Sequence, residues 1–77
     1  SAVHVLAVRG YAVELLPVSG RSSVEHNGRS IAAAFTQRGV RPDDRVVLIG
    51  YSKGALDALE FVAAHRDAAA PVAAVVS

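Results

Sequence analysis

The most informative stretch of this 77-residue chain is Val46-Val47-Leu48-Ile49-Gly50-Tyr51-Ser52-Lys53-Gly54. Its first four residues are an unbroken apolar run, rich in β-branched side chains, which is typical of a buried strand. The residues after Gly54 are rich in alanine and leucine at helical spacing, and they predict a helix. The pattern G-x-S-x-G therefore lies at a turn from a strand to a helix.

In that context the motif is the pattern of a nucleophile elbow, a sharp turn that holds its serine in a strained backbone geometry with the hydroxyl exposed. Gly50 and Gly54 are expected because a side chain at either position would collide with the neighbouring strand or helix. We predict that Ser52 is a nucleophile with positive φ and that the backbone N–H of Lys53 is one donor of an oxyanion hole. The side chain of Lys53 is expected to be solvated, with a weak i,i+4 pairing to Asp57. The alternative is a serine at a strand end that only caps the next helix.

The rest of the chain predicts alternating strands and helices. Residues 1–9 fit the tail of a helix that closes on Gly10, with a strand as the alternative. The predicted strands are 11–18, 45–51 and 72–76, and the predicted helices are 23–38 and 53–65. Such alternation implies right-handed crossovers and buried parallel strands. No repeat, low-complexity tract or linker divides the chain.

Each predicted helix has one apolar face. In the first helix, Ser22 at the N-cap and Glu25 match a capping box. The stripe that faces the sheet is predicted to be Val24, Gly28, Ile31 and Phe35. The glycine in this stripe indicates a close backbone approach. In the second helix the apolar face is predicted to be Leu56, Leu59, Ala63, Ala55, Ala58 and Val62, while Asp57, Glu60 and His65 lie on the wetter side.

The segment Gly50-Tyr51-Ser52-Lys53-Gly54-Ala55-Leu56-Asp57 follows an apolar strand and precedes a helix and the run Pro71-Val72-Ala73-Ala74-Val75-Val76. It resembles the central part of an α/β-hydrolase of the esterase/lipase type. Residues 9–13 and 17–23 also resemble the preceding strand and loop in bacterial members. The resemblance extends over nearly the whole chain, although only the elbow motif is specific.

The resemblance implies a partial α/β-hydrolase fold: three layers, with a parallel sheet of about three strands and crossover helices. Because such domains are several times longer, we expect residues 1–77 to be a fragment of a single α/β-hydrolase domain. In that fold an upstream strand separates the strand at 11–18 from the strand at 45–51. We therefore expect either a gap or a direct pairing between these two, with strands 45–51 and 72–76 adjacent and parallel.

The resemblance also implies a function. The chain would carry the nucleophile of a serine hydrolase that cleaves small-molecule carboxylic esters or thioesters through an acyl-enzyme on Ser52, without a cofactor. An acyltransferase would use the same elbow, and a non-catalytic hydrolase-like scaffold or binding module would use it to present a pocket. Nucleotide binding on a Rossmann-like unit is disfavoured because neither glycine-rich phosphate motif is present.

A serine nucleophile needs a base, and in these hydrolases the triad follows the order Ser, Asp or Glu, His. His65 is the only histidine after Ser52, but it lies along the same helix at roughly 20 Å. Asp57, Glu60 and Asp67 are not well placed as the triad acid. We therefore expect the acid and the histidine to belong to missing portions of the parent domain, and the isolated chain to be a poor catalyst.

Four further residues are candidates to face the substrate: Tyr51, Arg21, Ser22 and His26. The last three lie in or just after a loop that leaves the first predicted strand at the same edge as Ser52. His4 is assigned to the surface of a helix. Asp43 and Asp44 are assigned to a turn at the opposite edge of the sheet.

Composition disfavours several other classes. A net charge of +1, with no basic stripe and only two tyrosines and two phenylalanines, disfavours nucleic acid as a partner. No apolar stretch approaches the ~20 residues of a membrane span, so none is expected. The absence of cysteine removes thiolate chemistry, and no histidine spacing indicates a metal site. The sequence does not assign a compartment.

Overall fold

The computed structural model describes residues 4–77. In chain order the elements are β1 (Val5–Arg9), β2 (Ala12–Leu15), α1 (Val24–Gln37), β3 (Val46–Gly50), α2 (Lys53–Ala64) and β4 (Val72–Val76). The four strands form one sheet in the order β2-β1-β3-β4. Within this described part, neither helix is long and apolar enough to cross a membrane. The result is a small mixed α/β fold.

The first strand corrects the prediction for residues 1–9, part of which (1–3) lies outside the described residues. The predicted helix tail is wrong and the strand alternative is confirmed, because Val5–Arg9 is β1 and Gly10, at φ 61°, begins the turn to β2. β1 pairs with β2 on one side and with β3 on the other. Ladder hydrogen bonds and apolar neighbours on both sides outweigh the weak helix propensity of this short segment.

The sheet is mixed. β1 runs antiparallel to both β2 and β3, whereas β3 and β4 are parallel. The predicted parallel sheet of about three strands is therefore wrong, while the adjacent parallel pairing of the last two strands is confirmed. The prediction of either a gap or a direct pairing between β2 and β3 is also wrong, because β1 lies between them. Since β1 reverses direction relative to both, β2 and β3 point the same way and their carboxyl ends share one edge.

The strand predicted at 11–18 is shorter and more exposed than expected. Only Ala12–Leu15 forms a strand, at the edge of the sheet, with Val13 60% and Leu15 57% exposed. The prediction of a buried parallel strand is wrong because this edge strand has one neighbour, β1, to which it is antiparallel. Leu16, the next residue, turns the other way and is only 2% exposed.

Both helices pack on the same face of the sheet. The core joins buried side chains of the strands to those of both helices: Val5, Val46, Leu48, Ile31, Phe35 and Phe61. The rings of Phe35 in α1 and Phe61 in α2 meet edge to face with centroids 4.9 Å apart. The opposite face of the sheet carries exposed apolar residues, among them Val13, Leu15, Ile49 and Val76. The predicted three-layer arrangement is therefore wrong for the described residues, which form two layers.

Helix α1 begins one residue later than its predicted cap. Ser23 is the N-cap, and its hydroxyl accepts a hydrogen bond of 3.0 Å from the backbone N–H of His26. The predicted pairing of Ser22 with Glu25 is therefore wrong by one residue. Gly28 does mark a close approach, because a Cβ there would lie 3.3 Å from Cγ of Glu60. Its close neighbour is α2, however, and not the sheet as predicted.

Helix α2 is rotated relative to its predicted apolar face. Leu56 is 58% and Leu59 53% exposed, whereas Asp57 is fully buried, so the predicted placement of all three is wrong. The rotation follows from Gly54, whose backbone lies so close to β1 that a Cβ would overlap the carbonyl oxygen of His4. This contact turns the face of Gly54 toward the sheet and leaves the leucines facing solvent.

A charged turn closes the opposite edge of the sheet, as predicted for Asp43 and Asp44. The carboxylate of Asp44 accepts hydrogen bonds from the backbone N–H of Arg41 at 2.8 Å and from the guanidinium of Arg9 at 3.1 Å. The backbone hydrogen bond of Arg41, together with the Arg9 side chain, lowers the pKa of Asp44 below its ordinary value.

Substitutions at Leu15, the last residue of β2, and at Leu16, directly after it, test which face of the sheet each side chain occupies. Leu15→Lys should fold with a change in unfolding free energy below about 0.5 kcal/mol, and it should aggregate less because it places a charge on an exposed apolar edge. Leu16→Lys should lose about 4 kcal/mol or more, because it buries a charge. Urea unfolding and light scattering measure both effects. Equal destabilisation by the two substitutions would contradict the orientation of β2.

Asp44 should make stability depend on pH in the acid range. Because its pKa is lower in the folded chain, the stability it contributes is present above its unfolded pKa and is lost as the pH falls through the folded pKa. The advantage of the wild type over Asp44→Asn in urea unfolding should therefore shrink as the pH falls below about 4. Asp43→Asn, which removes only an exposed ion pair with Arg41, is the control and should have little effect at any pH. An advantage over Asp44→Asn that is constant with pH would contradict this assignment.

Candidate nucleophile site

Ser52 lies between the end of β3 and the start of α2 with φ 57° and ψ −126°. It is the one residue other than glycine with positive φ among residues 4–77, so the predicted backbone geometry is confirmed. A non-glycine residue in such a conformation costs about 1–3 kcal/mol. Although Ser52 occupies the N-cap position of α2, its exposed side chain makes no capping hydrogen bond. The strain is therefore not explained by a capping role.

The two glycines of the motif have steric roles. A Cβ on Gly50 would overlap the backbone of Ala55, and one on Gly54 would overlap the carbonyl oxygen of His4 in the adjacent strand segment. Neither glycine has positive φ. Both are therefore required by close backbone approach, as predicted, and Ser52 between them carries the unusual backbone conformation.

Backbone hydrogen bonds hold the turn. The N–H of Tyr51 donates to the carbonyl of His4 at 3.0 Å, and the N–H of Gly54 donates to the carbonyl of Tyr51 at 2.9 Å. No acceptor within residues 4–77 pairs with the backbone N–H of Lys53. First-turn amides of a helix lack intrahelical partners and lie at the positive end of its dipole. This N–H next to Ser52 therefore has the properties of an oxyanion donor.

The three histidines lie on three different segments of the chain. His65 lies at the C-cap of α2, where it stacks on Phe61 with ring centroids 6.0 Å apart, so it belongs to the far end of the helix. His26 lies exposed in the first turn of α1. The assignment of His4 to a helix is wrong, because it precedes β1 and its carbonyl touches the elbow. The sequence carries no signal for this contact, which arises from strand pairing. Among the described residues no histidine is hydrogen-bonded to Ser52.

The loop that carries Arg21 and Ser22 leaves β2 at the same edge as Ser52, as predicted, because β2 and β3 point the same way. With β1 between them, the two strand ends are roughly 10 Å apart. Arg21 is exposed and Ser22 is half-buried. Tyr51, directly before the serine, is 70% exposed. Arg21 and Ser22 thus share a sheet edge with Ser52, and Tyr51 is its neighbour in the chain.

A buried polar chain lies beside the elbow, and of its contacts only the pairing of Lys53 with Asp57 is among the sequence predictions. Asp57 accepts hydrogen bonds from Nζ of Lys53 at 2.9 Å and from Nδ2 of Asn27 at 3.0 Å. The predicted i,i+4 pairing of Lys53 with Asp57 is therefore confirmed, but the lysine side chain is only 29% exposed, because its partner is buried. A sequence signal for Asn27 does exist: it lies three residues after Val24 and four before Ile31, on the buried stripe of α1. A polar residue at such a position requires a hydrogen-bond partner.

Comparison with known proteins gives no match to a family model, to a curated protein or to a solved structure. The chemistry of the site is therefore inferred from its geometry.

The backbone strain at Ser52 can be measured by comparing alanine with glycine at this position, because the two residues differ only in the Cβ. Ser52→Gly should be more stable than Ser52→Ala by about 1 kcal/mol, because glycine adopts positive φ freely and this relief exceeds its extra chain entropy. At Ser30, inside α1, the order should reverse, with glycine about 1 kcal/mol less stable than alanine. Urea unfolding of the four variants measures both differences. The same order at both positions would contradict a strained elbow.

Proposed function

We propose that this chain carries the nucleophile of an α/β-hydrolase-type serine hydrolase, which cleaves carboxylic esters or thioesters through an acyl-enzyme on Ser52. The observation that carries this proposal is the strained and exposed conformation of Ser52 at a strand-to-helix turn. Strain at an exposed side chain has a rationale when that side chain reacts. The common direction of β2, β3 and β4 supports a partial α/β-hydrolase domain, from which the antiparallel β1 departs.

In the proposed reaction the hydroxyl oxygen of Ser52 attacks the carbonyl carbon while its proton passes to a general base. The carbonyl π electrons move to the oxygen, and the oxyanion accepts a hydrogen bond from the backbone N–H of Lys53. Collapse breaks the C–O or C–S bond, and the leaving alcohol or thiol takes the proton from the base. Water then attacks the acyl-enzyme through the same base, which releases the carboxylic acid and regenerates Ser52.

The base in this scheme is proposed to lie outside the 77 residues, with the triad acid. His65 is at the wrong end of α2, and none of the described histidines is hydrogen-bonded to Ser52. Tyr51, Arg21 and Ser22 would border the substrate, a small acyl ester or thioester, with His26 beyond them. An acyltransferase would differ only in the acceptor of the acyl group, an alcohol or an amine in place of water.

Turnover of a short-chain activated ester, with fluorophosphonate labelling of the serine, tests this proposal. We expect the 77-residue chain to be slower by several orders of magnitude than any longer native polypeptide that contains the triad base. In that longer chain Ser52→Ala should abolish labelling and turnover, while Ser30→Ala in α1 should change neither.

Two results would contradict parts of this scheme. Equal turnover by Ser52→Ala and wild type in the longer chain would exclude the nucleophile and favour the scaffold alternative. Strong turnover by the 77 residues alone that depends on Ser52 would mean that a base lies within them. His26→Gln and His4→Gln would then identify that base.

A further inference from the structure

A continuous chain of hydrogen bonds connects the loop after β2 to the first turn of α2. The side chain of Asn27 brackets the backbone of Ser19: its Nδ2 donates to the Ser19 carbonyl at 2.7 Å, and its Oδ1 accepts from the Ser19 N–H at 3.3 Å. The second hydrogen of Asn27 Nδ2 goes to Asp57, whose other carboxylate oxygen holds Lys53. Lys53 directly follows Ser52. Three segments distant in sequence are thus joined beside the elbow.

The two central residues of this chain of hydrogen bonds are buried, and their side-chain polar atoms are all paired. Asn27 is 1% exposed and Asp57 is fully buried, while the Lys53 side chain is 29% exposed. Asn27 uses both amide hydrogens and its oxygen, and Asp57 uses both oxygens, so a shift of any one segment would leave a buried polar atom without a partner. Buried ion pairs are weak contributors to stability, because apolar residues of similar volume often serve equally well. Such a network instead specifies one arrangement of the segments it joins.

Ser19 in turn holds the conformation of the loop through its hydroxyl and its carbonyl. The N–H of Arg21 donates to the Ser19 hydroxyl at 3.2 Å, and the N–H of Ser22 donates to the Ser19 carbonyl, also at 3.2 Å. The bracket from Asn27 therefore fixes the two loop residues that lie at the same sheet edge as Ser52.

From this geometry we propose that Asn27 and Asp57 are positioning residues that clamp the loop of residues 19–22 to the first turn of α2. The clamp holds Arg21 and Ser22 at a set distance from Ser52. Its consequence for substrate binding rests on the proposed hydrolase function, whereas the clamp itself does not.

Amide hydrogen exchange of the 77-residue chain tests the clamp directly. In Asn27→Ala, exchange at Arg21 and Ser22 should accelerate about five- to tenfold more than exchange in β3, because the loop has lost its anchor. Ile31→Val, a buried apolar change one turn along α1, is the matched control and should accelerate exchange in the loop and in β3 by the same factor. If Asn27→Ala behaves like this control, the clamp is overturned.

Asp57→Asn provides a second test that preserves side-chain volume. Its amide presents a donor where Asp57 accepts, so either Asn27 or Lys53 loses its partner. We expect the same selective acceleration in the loop, and we expect Asn27→Ala combined with Asp57→Asn to be no faster there than Asn27→Ala alone, because both act on one chain of contacts. Independent, multiplicative effects of the two substitutions would overturn the coupling.

A kinetic measurement separates the clamp from the chemistry. In a longer native polypeptide with Ser52-dependent turnover, Asn27→Ala should raise KM several-fold with a smaller change in kcat, because Ser52 and the Lys53 N–H stay in place. A fall in kcat at unchanged KM would overturn the role of the loop in binding. If Ser52 proves unreactive, hydrogen exchange still decides the clamp; if the clamp fails, labelling of Ser52 still decides the proposed hydrolase.

Discussion

The elbow, helix α2 and the buried polar chain are all arranged around the close approach of Gly54 to the carbonyl of His4. Because a side chain at position 54 would overlap that oxygen, α2 can lie directly against the sheet at the point where it leaves β3. That placement rotates the helix so that Asp57, Ala58 and Phe61 face inward and Leu56 and Leu59 face solvent. It also leaves Ser52 to absorb the reversal of the chain in a positive-φ conformation.

This constraint gives the buried carboxylate its role. With Asp57 turned inward, its carboxylate forms an ion pair with Lys53 on the same helix and accepts a hydrogen bond from Asn27 on α1. The edge-to-face contact of Phe35 and Phe61 holds the two helices together through apolar packing. The apolar contact supplies burial without directional preference, whereas the polar chain has only one arrangement in which all its atoms are paired. The apolar contact thus contributes stability, and the polar chain specifies one arrangement of the helices.

The two faces of the sheet differ in what covers them. One face is covered by both helices, while the other exposes apolar residues of β2, β3 and β4. The turn at Ser52 brings together the end of β3, a serine with positive φ and the first-turn amides of α2 within one short stretch of chain. The histidines of the described residues lie on other segments, and none of them is hydrogen-bonded to Ser52.

The elements that depend on local chemistry can be read from the amino-acid sequence. The strand-to-helix turn at Ser52, both helices and β4 were predictable, because hydrophobic period, glycine spacing and breaker residues act within a few positions. The parallel pairing of β4 with β3 followed from the order strand, helix, strand. Tertiary structure alone decided that residues 5–9 form a central strand, that both helices share one face, and that Asp57 points inward. Each of these outcomes depends on which distant segment supplies the neighbour: β3 for β1, the His4 carbonyl for Gly54, and Asn27 for Asp57. Such partners are chosen by packing across the fold, and a local pattern does not record them.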